Sequence, residues 1–471
     1  MCKYKRLAQN TVLVLIGNVG SKLIGLLMLP FYTSWLSVED YGVTDMISVY
    51  VAFLANIISC CIAESVFIFP KRQSEKLKKE YFSSGMAFLL FSLMFSFLVF
   101  GLIDALSSSS SVSNSFINNI WLIYGLIAAT LLQQMFQQFT RSIDNMVVYG
   151  MAGIVLALFT TILSFVFIPA MGVTGFVLSL ILANIITGLY SFIFSHSYVY
   201  CSVKSVSKIR CREMLKYSVP LIPNGIMWWL VSALNRPIME SNVGLHAIGI
   251  FAVSNKFPSI ISMLFGIFVT SWQISVLEEY GKKEFVDFYN KVFRGVVLLL
   301  FIMLVIITFS SKWLVATFAS ANFSEAWIYI PLLTLGTVFS NVSGLAGIIF
   351  SAVKQSKYFF YSSVYGGVTA IALNFILIPW LGLWGAVVSV GLSFMIMALS
   401  RIVYSWKYVK LDCLFQLLLM LVVSLLYIMF CLTTKCNSFV VGIMTIAMLL
   451  ISNVDLIKLF IVGIIKNSNV K

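Results

Sequence analysis

Lys22, Arg236 and Lys256 are cations set within long apolar stretches of the sequence. A charge in the hydrocarbon of a bilayer is costly, so each marks a candidate binding group. Lys22 lies about a dozen residues into its stretch, ~18 Å along a helix, too deep for its stem to reach water. Gly17, Asn18, Gly20 and Gly25 surround it and Pro30 follows, which predicts a helix that bends and admits close approach. Arg236 stands near the end of YSVPLIPNGIMWWLVSALNRPIMES, with Pro220, Pro223, Pro237, Asn224, Trp228, Trp229, Asn235 and Glu240. Three prolines predict an interrupted helix of the kind that lines transport sites. Lys256 lies in GIFAVSNKFPS. Lys22 is expected to face a central aqueous cavity, the alternative being a buried pair with an acidic residue on another helix.

The remaining candidates are supporting groups. Asn18, Asn224, Trp228 and Trp229 are polar or sugar contacts, the indoles by stacking, although a Trp pair in a span is more often packing or lipid-facing material. Glu64, Asp45 and Glu240 are coupling or ion-pair carboxylates: Glu64 is in reach of Lys71 or Arg72, and Glu240 follows Arg236 by four residues. Gln133, Gln134, Gln137 and Gln138 form two i,i+4 pairs expected to bond a neighbouring helix. No catalytic constellation appears. His196 and His246 belong to no metal or triad pattern, and GNVGSK at Gly17 to Lys22 has the wrong order for a phosphate loop. The eight cysteines show no metal spacing and are expected as free thiols. Neither enzyme nor cofactor nor metal site is expected.

Elements that could position these residues follow from composition. Of 471 residues 60% are hydrophobic and 10% charged, against about a quarter charged in soluble proteins. Apolar runs of bilayer length predict about fourteen transmembrane helices, roughly 11–36, 43–69, 82–104, 116–139, 148–169, 173–195, 217–240, 246–275, 293–310, 326–352, 358–379, 383–404, 413–432 and 439–463. The first run is longer than a signal h-region and is expected to stay in the mature protein. Counted this way, the basic joints, including Arg141, Arg401 and the clusters at Lys71–Lys79 and Lys204–Lys216, all fall on one side. The other side receives Lys312 and Lys435. This bias predicts both termini in the cytoplasm and explains the net charge of +14 without nucleic acid.

The sequence also repeats. LSFVFIPAMGVTGFVLS at Leu163 to Ser179 returns as LNFILIPWLGLWGAVVS at Leu373 to Ser389, and the Pro30 to Gly42 interval returns as Pro237 to Gly249. An even number of spans separates the copies, so the two halves share orientation. The expected fold is an all-α polytopic membrane protein: two six-helix bundles, residues 1–200 and 201–410, related by a parallel pseudo-two-fold, plus two additional helices in 411–471.

LSVEDYGVTDM, YSVPLIPNGIMWW, IGIFAVSNKF and the paired IP-x-x-G-x-x-G turns resemble the O-antigen (Wzx-type) polysaccharide flippases. That group lies within the multidrug/oligosaccharidyl-lipid/polysaccharide exporter superfamily. The resemblance covers residues 1 to about 405. It implies movement of an undecaprenyl-diphosphate-linked oligosaccharide from the cytoplasmic to the periplasmic leaflet by alternating access, coupled to H+ or Na+. It further implies a bacterial inner membrane location among membrane lipids, beside other polysaccharide-assembly membrane proteins. Related sequences often carry an acidic residue where this chain has Asn235, so that position offers no carboxylate for coupling. Three rivals make different demands. A multidrug exporter expects an acidic cavity, and a membrane polysaccharide polymerase expects a large outer loop, whereas the largest outer joint here is SSSSSVSNS. A lipid-linked peptidoglycan precursor flippase shares the topology.

Overall fold

In hydrocarbon every backbone N–H and C=O must be bonded within the chain, and a helix achieves this locally. The computed structural model describes residues 24–107, 114–355, 357–412, 414–433 and 438–455. Its helices are α1 Leu29–Trp35, α2 Val38–Ser59, α3 Ile62–Ile68, α4 Glu75–Ser107, α5 Ile120–Ser142, α6 Met146–Phe194, α7 Lys208–Ser218, α8 Ile222–Ser232, α9 Asn235–Asn242, α10 Leu245–Glu279, α11 Phe285–Phe318, α12 Ile330–Ala352, α13 Lys357–Leu381, α14 Leu383–Ser405, α15 Leu414–Thr433 and α16 Ser438–Ile451. Short helical turns complete the described elements. Ten of the described helices are long and apolar enough to cross a bilayer. The fold is an all-helical polytopic one. α6 continues on both sides of a break at Gly172 and holds two of the expected spans. α8 and α9 together replace the seventh, interrupted at Ala233 and Leu234. Shorter apolar helices, Ile24–Trp35 and Phe439–Ile451, stand at the first and last span positions.

The chain divides into two compact units: Met1–Trp229 with Gly244–Gly249, and Leu230–Val243 with Ile250–Lys471. In the first, α5 packs against α2, α3, α4 and α6, with Phe82 stacked on Phe139 at 4.1 Å in a buried core. Leu90, Phe91, Met94, Phe95 and Leu98 line the exposed side of α4, the composition that hydrocarbon accepts. The connection after α6 is seated by serines: Ser83 Oγ donates to Tyr200 O, Ser207 N–H donates to Ser84 Oγ, and Ser65 Oγ donates to Met214 O, each at 2.8 Å. Tyr200 donates to a Glu75 carboxylate oxygen, and burial together with that carboxylate pushes its phenol up to about 12. In the second unit α12 packs against α11 and α14. Small residues permit the close crossing, since a Cβ at Gly336 would lie 3.2 Å from Gly391 Cα.

The repeated segments adopt one geometry twice. Gly172 has φ +54° and ψ −126°, and Gly382 has φ +57° and ψ −130°. In each case the chain doubles back. A Cβ at Gly175 would meet Phe167 O at 2.1 Å, and one at Gly385 would meet Leu377 O at 2.2 Å; eight residues along a straight helix would be ~12 Å apart. Pro169 and Pro379 lie just before the reversals. The second echo is a crossing within the first unit: a Cβ at Gly42 would lie 2.4 Å from Leu245 O, and one at Gly249 would lie 2.0 Å from Val38 O. Backbone meets backbone where the sequence placed its two matched glycines.

The expected second span is not continuous. Cys60 and Cys61 have φ +48° and +53°, which ends α2 and starts α3 after a kink. A left-handed residue other than glycine costs roughly 1–2 kcal/mol. The carbonyls it frees find partners: Ser92 Oγ donates to Ile58 O, and Cys60 N–H donates to Ile57 O. Gly175→Ala and Gly385→Ala should each lower the melting temperature in detergent, by overpacking of about 1–3 kcal/mol. Gly266→Ala, whose Cβ would meet nothing within 4 Å, should leave it unchanged or raise it.

Candidate substrate site

Lys22 and Asn18 lie outside the described residues. The other candidates fall in two groups, one in each unit. In the first unit, α2 and α3 expose Ser48, Ala52, Asn56 and Glu64, mostly four residues apart, with Asp45 half-buried one turn earlier. Four-residue spacing keeps them on one face as far as the kink. Asn224 is exposed on α8, and Gly225 beside it approaches Asn56, where a Cβ would lie 3.8 Å from Nδ2. The ion pair considered for Glu64 does not form among the described residues: Lys71 Nζ instead sits 5.2 Å from the Phe67 ring centroid. Arg141 covers the same ring at 4.0 Å.

Trp229 is used for packing. Its Nε1–H donates to Val49 O at 3.1 Å and its ring lies 4.4 Å from Phe53. Trp228 beside it is half-buried. The glutamine run also departs from expectation. Gln133 Nε2 donates to Gln137 Oε1 at 2.7 Å along the same helix, so this bond is made within α5 and not across to a neighbour. The crossing with α6 is instead made close by Gly188, where a Cβ would lie 3.3 Å from Gln133 Cα.

In the second unit Arg236 is 6% exposed and does not extend outward. Its guanidinium stands 4.6 Å from the Phe251 ring centroid and donates to Ser232 O and to Asn235 Oδ1, the latter at 3.0 Å. The carbonyl of Asn235 thus does for Arg236 what a carboxylate would do with charge. Glu240 is half-buried one turn farther along α9. Phe251 also lines a cavity of about 170 Å³. Its polar lining is neutral: Ser232, Asn255, Ser259, Ser262, Thr337 and Ser340. Lys256 is exposed on α10 between two of these residues. Hydroxyls and amides both donate and accept, so such a lining suits a polyhydroxylated or hydrated guest.

The lysines near it in sequence place Arg401 in a basic joint, whereas the structure buries it within a helix. It is 2% exposed inside α14, donating from Nε to Ser362 Oγ at 3.0 Å, from one terminal nitrogen to Ser343 O at 3.1 Å, and from the other to Ser363 Oγ at 3.4 Å. Gly347 makes the room, since a Cβ there would come within 3.2 Å of the guanidinium. The adjacent Ser362-Ser363 pair in an apolar span was the available signal.

The family model described as polysaccharide biosynthesis protein matches residues 7–273, more than half of the chain. No curated protein matches the sequence. Among solved structures, the chain is similar to the lipid II flippase MurJ in an inward closed conformation, at 15% identity and TM-score 0.72, with 96% of this chain and 100% of that chain covered. It is also similar to an inward-facing multidrug resistance MATE family transporter of the MOP superfamily, at 12% identity and TM-score 0.68, covering 84% and 94%. A third similar structure is a MOP superfamily transporter from Pyrococcus furiosus, at 13% identity and TM-score 0.58, covering 86% and 95%. At these identities the likeness establishes the fold. Trp229→Phe should lower stability by about 1 kcal/mol through the lost hydrogen bond, and Trp229→Ala by about 3–5 kcal/mol through the lost ring, read by thermal unfolding.

Proposed function

We infer the function from one premise: this chain belongs to the polysaccharide biosynthesis protein family. The reading is a flippase that moves undecaprenyl-diphosphate-linked O-antigen units from the cytoplasmic to the periplasmic leaflet of a bacterial inner membrane, with both termini in the cytoplasm. The observation that carries it is the neutral polar cavity of the second unit, one of whose lining residues, Phe251, also packs on the Arg236 guanidinium, while Lys256 is exposed on the helix that supplies Asn255 and Ser259. A sugar diphosphate offers hydroxyls to such a lining and negative charge to such cations. A cationic drug would find no carboxylate in that lining, which counts against a multidrug exporter.

Energetics set what else is required. The diphosphate cannot enter the ~30 Å hydrocarbon core without polar partners, so the head crosses inside protein while the prenyl tail stays in lipid. Each negative charge carried outward works against the membrane potential by ~2.3 kcal/mol per 100 mV. Inward movement of H+ or Na+ offsets that cost, and Glu64, Asp45 and Glu240 are the carboxylates proposed to take part. Lys22 adds a third cation on the first unit's side of the sequence. Other polysaccharide-assembly proteins supply the substrate and receive it. Similarity to a structure described as a lipid II flippase supports a second reading with the same chemistry, a lipid-linked peptidoglycan precursor as cargo.

Depletion in the native host should leave lipid-linked oligosaccharide accumulated on the cytoplasmic leaflet. Units assembled on the periplasmic leaflet but not polymerised would refute the flippase and favour a polymerase, and accumulation of a peptidoglycan precursor would favour the second reading. Lys22→Ala and Lys256→Gln should each reduce export by tenfold or more, about 1.4 kcal/mol of lost anion stabilisation, at unchanged protein level. Full export in both variants would remove these cations from the mechanism.

A further inference from the structure

α15 packs against α11 and α16, and along its other side a cleft opens towards α14. The cleft has a volume of about 390 Å³, with Phe301, Ala398, Leu399, Ile402 and Trp406 facing Leu414, Leu417, Leu418 and Leu421. No charged side chain lines it, and its one polar side-chain atom is the Trp406 indole nitrogen. A second apolar cavity of about 160 Å³ shares Phe339, Met395 and Leu421 with the first and extends the cleft to Leu425. From Leu414 to Leu425 the rise is ~16 Å at 1.5 Å per residue, close to half of the ~30 Å hydrocarbon core. The cleft is therefore as deep as one leaflet.

Its mouth carries the residue types found at a membrane's headgroup level. Trp406 is exposed, and the neighbouring helix ends carry a tyrosine cluster in which Tyr358 lies 4.9 Å from Tyr404, and the hydroxyls of Tyr365 and Tyr404 are 3.1 Å apart. Along α13 the exposed residues change from Tyr361 and Tyr365 to Val368, Ile371 and Phe375, the succession expected from interface to hydrocarbon. Lys407 and Lys410 are exposed immediately after Trp406, with Asp412 as the acidic residue of the same joint. Lys407 Nζ also stands 5.4 Å from the Tyr358 ring centroid.

We propose that this cleft holds one acyl chain of an anionic phospholipid from the leaflet at the Trp406 end, with its phosphate at Lys407 and Lys410, and that this lipid ties α15 and α16 to the rest of the second unit. Three observations select this occupant. The wall is apolar throughout, the depth equals a single leaflet, and the mouth carries two cations to one acid. A polyprenyl chain threaded across the bilayer would need a longer cleft. The proposal is independent of the cargo, because its readout is a retained lipid and not transport.

The test is native mass spectrometry of the full chain purified in mild detergent from cells containing anionic and zwitterionic phospholipids. One anionic phospholipid should remain bound per chain. Leu418→Trp and Leu399→Trp, both at exposed positions on the cleft wall, should lower its occupancy at least about tenfold. Lys407→Gln with Lys410→Gln should abolish the preference for anionic over zwitterionic lipid. A photoactivatable phosphatidylglycerol should crosslink to peptides from residues 395–421. Loss of every lipid from the folded wild type, equal retention in the filled variants, crosslinks elsewhere, or retention of a polyprenyl phosphate in place of the phospholipid would each overturn the proposal.

Discussion

An unpaired backbone N–H or C=O is costly in hydrocarbon, and this constraint governs both the regular and the irregular parts of the molecule. Where the helices run, their own hydrogen bonds suffice. Where they stop, something must take over. At the Cys60–Cys61 kink the Ser92 hydroxyl and a local backbone N–H do so. The buried cations follow the same rule, Arg236 through a carbonyl, an asparagine amide oxygen and a ring face, and Arg401 through two serine hydroxyls and a carbonyl. Glycine completes the scheme by letting backbones approach to where any side chain would collide, as at Gly175, Gly385, Gly42 and Gly249.

Much of this was legible in the sequence because it depends on residue types with strong local meaning. Proline and glycine repeated at fixed intervals marked two reversals with nearly the same φ and ψ. The prolines around Arg236 announced a helix broken into α8 and α9. Apolar length announced a many-span chain, since hydrocarbon thickness is a fixed ruler, and ten of the described helices are long enough to cross. What escaped depends on neighbours distant in the chain. Arg401 has lysines nearby in sequence, as an interfacial charge does, and its burial is decided by Ser343, Ser362 and Gly347 on other helices. The kink at Cys60 and Cys61 has no glycine or proline to announce it. Gln133 bonds to Gln137 on its own helix, an outcome their spacing allowed equally with bonding to a neighbour.

The two units carry different chemistry. Exposed Asn56 and Glu64 belong to the first, whereas the second holds Arg236, Lys256 and a cavity of hydroxyls and amides. Cations next to neutral polar groups suit a guest that is anionic at one end and hydroxylated at the other. The apolar cleft beside α15 adds a third environment, fitted to hydrocarbon.

The central claim is that the protein carries a polar lipid head across the bilayer. Purified protein reconstituted into sealed vesicles with undecaprenyl-diphosphate oligosaccharide tests it most directly, with a membrane-impermeant probe reporting the glycan in the outer leaflet. Glycan initially in the inner leaflet should appear outside faster than in protein-free vesicles, with a rate set by an imposed H+ or Na+ gradient. Folded protein that leaves this rate at the protein-free value under either gradient would contradict the claim.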